Sequence, residues 1–133
     1  MRSIINILEN DAAVTALLNN GAQSVFAEFA SQAERIPHIV VELMEEEEMN
    51  TMSTTVSTEA RCRVFSVSDR LYTDDGVAGA FDMGVLVRAG LVGQSGTFNS
   101  ETIDQVNLES TSHFIESPER VVVEQIFQVF KRV

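Results

Sequence analysis

The C-terminal segment "RVVVEQIFQVFKRV", from Arg120 to Val133, constrains the fold of this chain more than any other stretch, because it is apolar on both faces of an extended chain. Successive side chains of a strand point to opposite sides. Strands of this kind lie in the centre of a sheet or are covered on both sides. The segment therefore predicts a central strand. One predicted face carries Val121, Val123, Phe127 and Val129, and the other carries Val122, Ile126 and Phe130.

Four further segments predict strands. "HIVVEL" begins after Pro37, which is tolerated where a strand starts, and "TVSTEARCRVFSVS" alternates small or apolar residues with polar ones. These two strands predict a β-hairpin with "EEEEMNTM" at or near its distal end. "IDQVNLESTSHFI" precedes the final strand across the turn "ESPE", and "SVFAEFA" (24–30) is a candidate short strand.

Two regions predict helices. Ile4, Ile5 and Leu8 form one apolar face, and Asp11 is suited to cap "AAVTALL", so the N-terminus is one interrupted helix or two short ones. In "SDRLYTDDGVAGAFDMGVLVRAGLVG" apolar residues recur at helical spacing, which predicts an amphipathic helix of about twenty residues. The recurring residues are Ala78, Phe81, Val85, Ala89 and Val92.

The same helical segment contains Gly76, Gly79, Gly84 and Gly90. Each glycine costs about 1 kcal/mol relative to alanine inside a helix, so we expect a close approach to another backbone. The helix packs either on the chain's own sheet or on a neighbouring copy. "GQSGTFNSE", which follows, has the composition of a loop.

The order of these elements predicts an α+β fold for residues 1–133 as one domain. We expect a mostly antiparallel sheet of about four to five strands, with the N-terminal helical segment and the one long helix packed on it. A long acidic-tipped hairpin completes the predicted architecture. Hydrophobic residues make up 44% of the chain and charged residues 22%, which is typical of a chain that folds around a core.

The charge of the chain disfavours functions that require binding to nucleic acid or to an anionic membrane. Its formal net charge is −11, and a surface of that sign repels nucleic-acid phosphates and anionic membranes. Cys62 is the single cysteine, so no intrachain disulfide forms, and a reducing intracellular origin is expected. We also expect a soluble cytosolic product, since no signal peptide and no apolar run of about 20 residues are evident.

No combination of residues in the sequence predicts catalysis. His38 and His113 are isolated in or beside strands, and Cys62 lies on the small-residue side of its strand, where a thiol behaves as a small hydrophobe. The sequence lacks the common nucleophile, phosphate-loop and zinc motifs. "TDDG" (73–76) lacks the spaced ligands of a calcium loop and is interpreted as the acidic first turn of the long helix. We expect no enzyme activity, cofactor or metal site.

The glutamate run Glu45–Glu48 allows several interpretations. Neighbouring side chains of an extended chain diverge, so a specific metal site is disfavoured. A solvated hairpin tip is favoured from the residues alone. A surface that faces a partner or a channel remains the alternative.

The order of segments resembles the tail terminator (tail-completion, tail-to-head joining) proteins of long-tailed bacteriophages. The resemblance rests mainly on "NDAAVTALL" (10–18) and "IPHIVVEL" (36–43), followed by the long strand "EARCRVFSVS", the amphipathic helix and the final strand. It covers nearly the whole chain. The acidic connection "MEEEEMNTM" departs from the family, in which this link is shorter and less charged.

The resemblance implies a structural virion protein of the tail or neck, assembled in the host bacterial cytoplasm. It would form a hexameric ring at the head-proximal end of the tail tube, stop tube polymerisation and bind the head connector, while DNA passes without specific binding. The alternatives are another neck or tail component (head-completion or tube protein) and a small acidic inhibitor or DNA mimic. Candidate interface or channel residues are Glu45, Glu46, Glu47, Glu48, Arg61, Arg63, Arg70, Arg88 and Arg120, where the arginines are either partners of a neighbour's acidic segment or ordinary surface charges.

Overall fold

The architecture, in a computed structural model, is an α+β fold built on one six-stranded mixed sheet. The structure describes residues 2–28, 30, 35–51 and 54–132. The strand order is β1-β2-β3-β6-β5-β4, and β1 runs parallel to β2 while all other neighbours are antiparallel. The predicted fold class is confirmed, although the sheet is larger than the four to five strands expected.

The sheet consists of long central strands and short outer ones. The strands are β1 (Val25–Ala27), β2 (His38–Thr51), β3 (Thr54–Ser68), β4 (Gly96–Phe98), β5 (Glu101–Ser117) and β6 (Arg120–Arg132). The prediction that the C-terminal segment forms a central strand is confirmed, because β6 lies between β3 and β5. Val133 lies outside the described residues, as does Phe29 of the predicted strand 24–30.

The helices are α1 (Arg2–Glu9), α2 (Ala12–Thr15) and α3 (Ala80–Leu91), with a 3₁₀ turn at Gly21–Ser24. The N-terminus forms two short helices, one of the two predicted arrangements. Asp11 caps α2, since its carboxylate accepts hydrogen bonds from the backbone N–H groups of Ala13 (3.0 Å) and Val14 (3.3 Å).

All three helices pack on the same face of the sheet. The hydrophobic core there joins Ile4 and Leu8 of α1 and Met83 of α3 to Cys62 of β3 and Phe127 of β6. Strand periodicity places alternate residues of each strand on this side. We call it the helix-covered face, and we call the opposite side, over which no described helix packs, the open face.

The acidic run lies in the distal part of the predicted hairpin, within a strand and not in the turn itself. β2 continues through Glu45–Glu48 to Thr51, and its pairing with β3 extends to Thr51 opposite Thr54. The tip residues Met52 and Ser53 lie outside the described part of the chain. The predicted hairpin itself is confirmed. The glutamates remain extended because β3 supplies ladder partners opposite each of them.

The segment 93–101, predicted as a loop, contains a short strand. Gly96–Phe98 pairs with Glu101–Ile103 at the edge of the sheet. The prediction was incomplete because three residues are too few to show an alternation.

The long helix is shorter than predicted. From Phe81 onward, the apolar residues that recur at helical spacing in the sequence lie on its exposed side and not on the side that packs on the sheet. α3 starts only at Ala80, because Asp75 and Gly76 adopt positive φ angles and Asp74 pairs with Val77 in a tight turn. "TDDG" is therefore this turn, and the acidic residue of the first helical turn is Asp82. The residues that pack on the sheet are Met83, Gly84, Val87 and Leu91, whereas Phe81, Val85, Ala89 and Val92 are exposed.

Two glycines of α3 lie against the chain's own elements. A Cβ atom at Gly84 would stand 3.1 Å from the Val123 side chain of β6, and one at Gly90 would stand 2.3 Å from an Asp11 carboxylate oxygen. Close packing of α3 on the chain's own sheet and on the α2 cap therefore accounts for both residues.

Candidate functional site

The open face of the sheet carries charged side chains over one half and apolar side chains over the other. Arg61 and Arg63 alternate along β3 with the buried residues Ala60, Cys62 and Val64, which point to the helix-covered face. Six of the candidate residues lie in β2 and β3, where ladder register decides which charges meet.

Arg61 connects three strands of the open face. Its Nη1 donates to Glu45 Oε1 of β2 at 3.0 Å, and its Nε donates to Glu109 Oε2 of β5 at 2.9 Å, with a second contact from Nη2 to the same Glu109 oxygen. Hydrogen bonds to Glu109 and then to Glu45 raise the pKa of the Arg61 guanidinium above its ordinary value. The guanidinium is therefore a fixed positive charge between two carboxylates.

Arg63 is held less tightly. Its Nη1 lies 3.9 Å from Glu42 and its Nε lies 3.8 Å from Glu124, distances of ion pairs without hydrogen bonds. The guanidinium carbon stands 5.8 Å from the centre of the Phe65 ring, within the range of a cation–π contact. Arg63 thus marks the boundary between the charged and apolar halves of the open face.

A second charged cluster lies at the same end of the helix-covered face. Lys131 Nζ contacts Glu46 of β2 and donates to Glu101 Oε2 of β5 at 3.1 Å, and Glu101 Oε1 accepts the backbone N–H of Ser3 at 2.8 Å. Partial burial alone raises the pKa of Glu101, but the hydrogen bonds from Ser3 and Lys131 outweigh it and hold this pKa below its usual value. The cluster fastens the start of α1 to the sheet.

The glutamate run is divided between the two faces, as the alternation of strand side chains predicts. Glu45 pairs with Arg61 on the open face, and Glu46 pairs with Lys131 on the helix-covered face. Glu47 and Glu48 are exposed, and no ion pair joins them to any part of the chain that the structure describes. The run therefore combines two structural carboxylates with two free ones, and its members do not converge on a metal.

The remaining candidate arginines lie apart from this cluster. Arg70 binds its neighbour Asp69 (2.7 Å) and the backbone oxygen of Asp74 (2.9 Å), so it organises the turn before α3. Arg120 lies at the start of β6, far along the sheet from the glutamates. Arg88 is exposed on α3, and within the described ranges no carboxylate lies within ion-pair distance of it.

His38 and Cys62 are buried, and His113 lies on the surface. The His38 ring is buried, contacts the edge of the Phe26 ring at 5.7 Å and lies 3.2 Å from the Arg35 carbonyl oxygen through Nδ1. Burial raises the pKa of the Cys62 thiol to about 12, so it remains protonated and unreactive at neutral pH. His113 is exposed on β5.

The apolar half of the open face forms a shallow groove of about 260 Å³ between the β1 end and the β5–β6 hairpin. Val40, Phe65, Val67 and Val122 are four of its apolar lining residues. We call it the apolar groove, and among the described residues its lining is Glu28, Ala30, His38, Val40, Phe65, Val67, Phe114, Glu116, Arg120 and Val122.

Neither a metal site nor a membrane-spanning helix is found in the described part of the chain. No group of three or more histidine, cysteine, aspartate or glutamate side chains there could hold a metal ion. No helix there has the length and apolar character needed to cross a membrane.

The fold is shared with a virion protein. It is similar to a chain in the virion of a native gene transfer agent particle, with a TM-score of 0.68 and 14% sequence identity, over 98% of this chain and 92% of that chain. At this identity the likeness establishes the fold alone. No family model matches the sequence, and no curated protein matches it significantly.

Several residues of the charged clusters are absent from the sequence-based candidates. Glu109, Glu124, Glu101 and Lys131 all pair with candidate residues or with one another across strands. The only sequence signal was alternation of charge within each strand. Their pairing depends on β5–β6 register, which includes bulges near Gln105 and Ser110, and a bulge moves every later side chain to the other face.

Proposed function

We propose that this chain is a structural protein of a phage-like virion, and that it forms a hexameric ring at the head-proximal end of the tail tube. The likeness to a virion chain over nearly the full length of both molecules carries the proposal. The segments "NDAAVTALL" and "IPHIVVEL", which resemble tail terminators, support the finer assignment independently. In this role the ring stops tube polymerisation and presents a surface to the head connector.

The electrostatics suit a channel through which DNA moves. The net charge of −11 repels phosphate, so DNA passes a ring of such subunits without specific binding. Within the glutamate run, Glu47 and Glu48 are the carboxylates available to a channel or to a neighbour, because Glu45 and Glu46 are occupied within the subunit. Arg61, Arg63 and Arg70 are likewise occupied by intrachain carboxylates. Arg88 is the cation we assign to an intersubunit contact.

The proposal requires no enzyme chemistry. The buried thiol and the buried histidine both have structural roles, and the chain's partners are other copies, the tail tube protein and the connector. We place the protein in the tail or neck of the virion, after assembly in the cytoplasm of the bacterial host.

Deletion of the gene in its phage or phage-like element tests this role. We expect tails of unregulated length and unattached filled heads by negative-stain electron microscopy, with normal particles restored by the wild-type gene in trans. Tails of normal length with unattached heads would indicate another neck component. Normal particles would contradict a virion assembly role altogether.

A further inference from the structure

The large exposed apolar side chains of the described residues lie in two places. Tyr72, Phe81, Val85 and Val92 are on or beside α3, whereas Phe114 and Ile115 are on the β5–β6 hairpin. The first group faces away from the sheet, because the opposite side of α3 is buried on the helix-covered face. The apolar groove lies on the open face, so the two surfaces point in opposite directions.

The outward surface of α3 is a continuous stripe. We define the α3 stripe as Phe81, Val85, Ala89 and Val92, which follow one another at helical spacing over about 16 Å. The Phe81 ring packs against Tyr72 with 5.6 Å between ring centres, which extends the apolar surface. Arg88 lies beside the stripe, and the described residues provide no carboxylate for it.

The apolar groove has the size and the neighbouring charge needed to receive the α3 stripe of another copy. Its volume of about 260 Å³ is below the range of about 300–1,000 Å³ typical of small-molecule pockets, but an apolar cavity of about 150 Å³ already holds a benzene ring. It therefore has room for an aromatic side chain such as Phe81. Next to it, Glu119 of the β5–β6 turn is exposed and has no ion-pair partner in the described part of the chain.

We propose that the α3 stripe of one copy of this chain docks on the apolar groove of the next copy, with Arg88 facing the acidic hairpin turn at Glu119. Two different patches on opposite faces make a head-to-tail contact, which closes into a ring when the rotation from one copy to the next closes and otherwise continues as a filament. An aromatic residue and an arginine around an apolar centre are the residue types that dominate binding energy in interfaces. The inference rests on the proposed ring and names its subunit contact.

Complementation between two variants tests the contact. Val85→Glu damages only the stripe and Phe114→Glu only the groove, and both side chains are exposed enough for the subunit to fold. We expect each variant alone to lose self-association by at least about thirtyfold relative to wild type in sedimentation experiments. An equimolar mixture retains one intact stripe and one intact groove, so it should form 1:1 dimers and nothing larger. A variant that fails to associate because it is unfolded cannot form a dimer in the mixture, so dimer formation shows that both variants are folded.

Ile115→Glu is the matched control. Ile115 adjoins Phe114 but pairs with Val121 and points to the opposite side of the strand, and it is 72% exposed. This variant should associate like wild type. Reversal of the two charges in Arg88→Glu and Glu119→Arg should weaken association singly and restore it when both are combined in one chain.

Several outcomes would overturn the contact. They are a mixture that stays monomeric, a Phe114→Glu variant that associates normally, equal loss in Ile115→Glu, or a wild type that remains monomeric at every concentration reached. None of these outcomes changes what the gene deletion is expected to show, so the ring contact and the virion role are tested independently.

Discussion

The two faces of the sheet are made by the same strands, but they differ in chemistry. In β3 the helix-covered face receives Cys62 and Val64, both fully buried, while the open face receives Arg61 and Arg63 with ion-pair partners on neighbouring strands. The first face is held by removal of apolar surface from water, which is worth about 25 cal/mol per Å². The second is held by charge pairs that water screens. We infer that the covered face determines stability and that the open face is available for contacts with other molecules.

Truncation of one aromatic residue on each face of β6 gives the largest expected contrast. Phe127 is fully buried on the covered face, whereas Phe130, three residues later, is half-buried on the open face. Phe127→Ala should lower the free energy of unfolding by about 3–5 kcal/mol, and Phe130→Ala by about 1 kcal/mol. Urea denaturation followed by circular dichroism measures both. Equal losses would show that the open face is covered in the free subunit as well.

Removal of one cation from each face gives the next contrast. Lys131 has only 14% of its side chain exposed and is bound by Glu46 and Glu101, whereas the Arg61 side chain is 37% exposed. Lys131→Met should cost about 1–2 kcal/mol, since two carboxylates lose a charged hydrogen-bond donor. Arg61→Met should have a smaller effect because solvent screens its partners. Thermal unfolding at low and high salt checks the order, and a larger loss for Arg61 would reverse our assignment of the two faces.

The smallest expected effect is the loss of stability when Glu101, which fastens the start of α1 to the sheet, can no longer be ionised. Because the pKa of Glu101 is lowered in the folded protein, its carboxylate contributes stability above its ordinary value near 4.5, and this contribution disappears as the pH falls through the folded pKa. Glu101→Gln should therefore reduce stability at pH 7 and make little difference once the pH is well below the folded pKa of Glu101. Hydrogen exchange of the α1 amides across this pH range measures the effect. Glu109→Gln on the open face is the control and should leave α1 exchange unchanged.

Most of the fold could be predicted from local patterns. The alternation in "EARCRV" separates the two faces of β3, and the two-sided apolar pattern of residues 120–132 correctly indicates a central strand. Asp11 was recognisable as a cap because its chemistry acts within three residues.

The candidate site was less predictable, and α3 shows why. The helix is apolar around most of its circumference, so spacing alone selects Phe81, Val85, Ala89 and Val92 as readily as the buried Met83, Val87 and Leu91. Packing decided between them, because Gly84 lets the backbone approach Val123 and so fixes which side meets the sheet. An apolar stripe was thereby left on the outside.

By itself the sequence determined which side chains of β3 share a face, where the chain turns between β5 and β6 and where α2 is capped, because these depend on neighbours along the chain. Only the tertiary structure decided that the glutamate run lies within a strand and that Arg61 of β3 binds both Glu45 of β2 and Glu109 of β5, which lies two strands away. The physical reason is register. Strand pairing over many residues of separation, shifted by bulges, sets which charges face each other, and no local pattern encodes that shift.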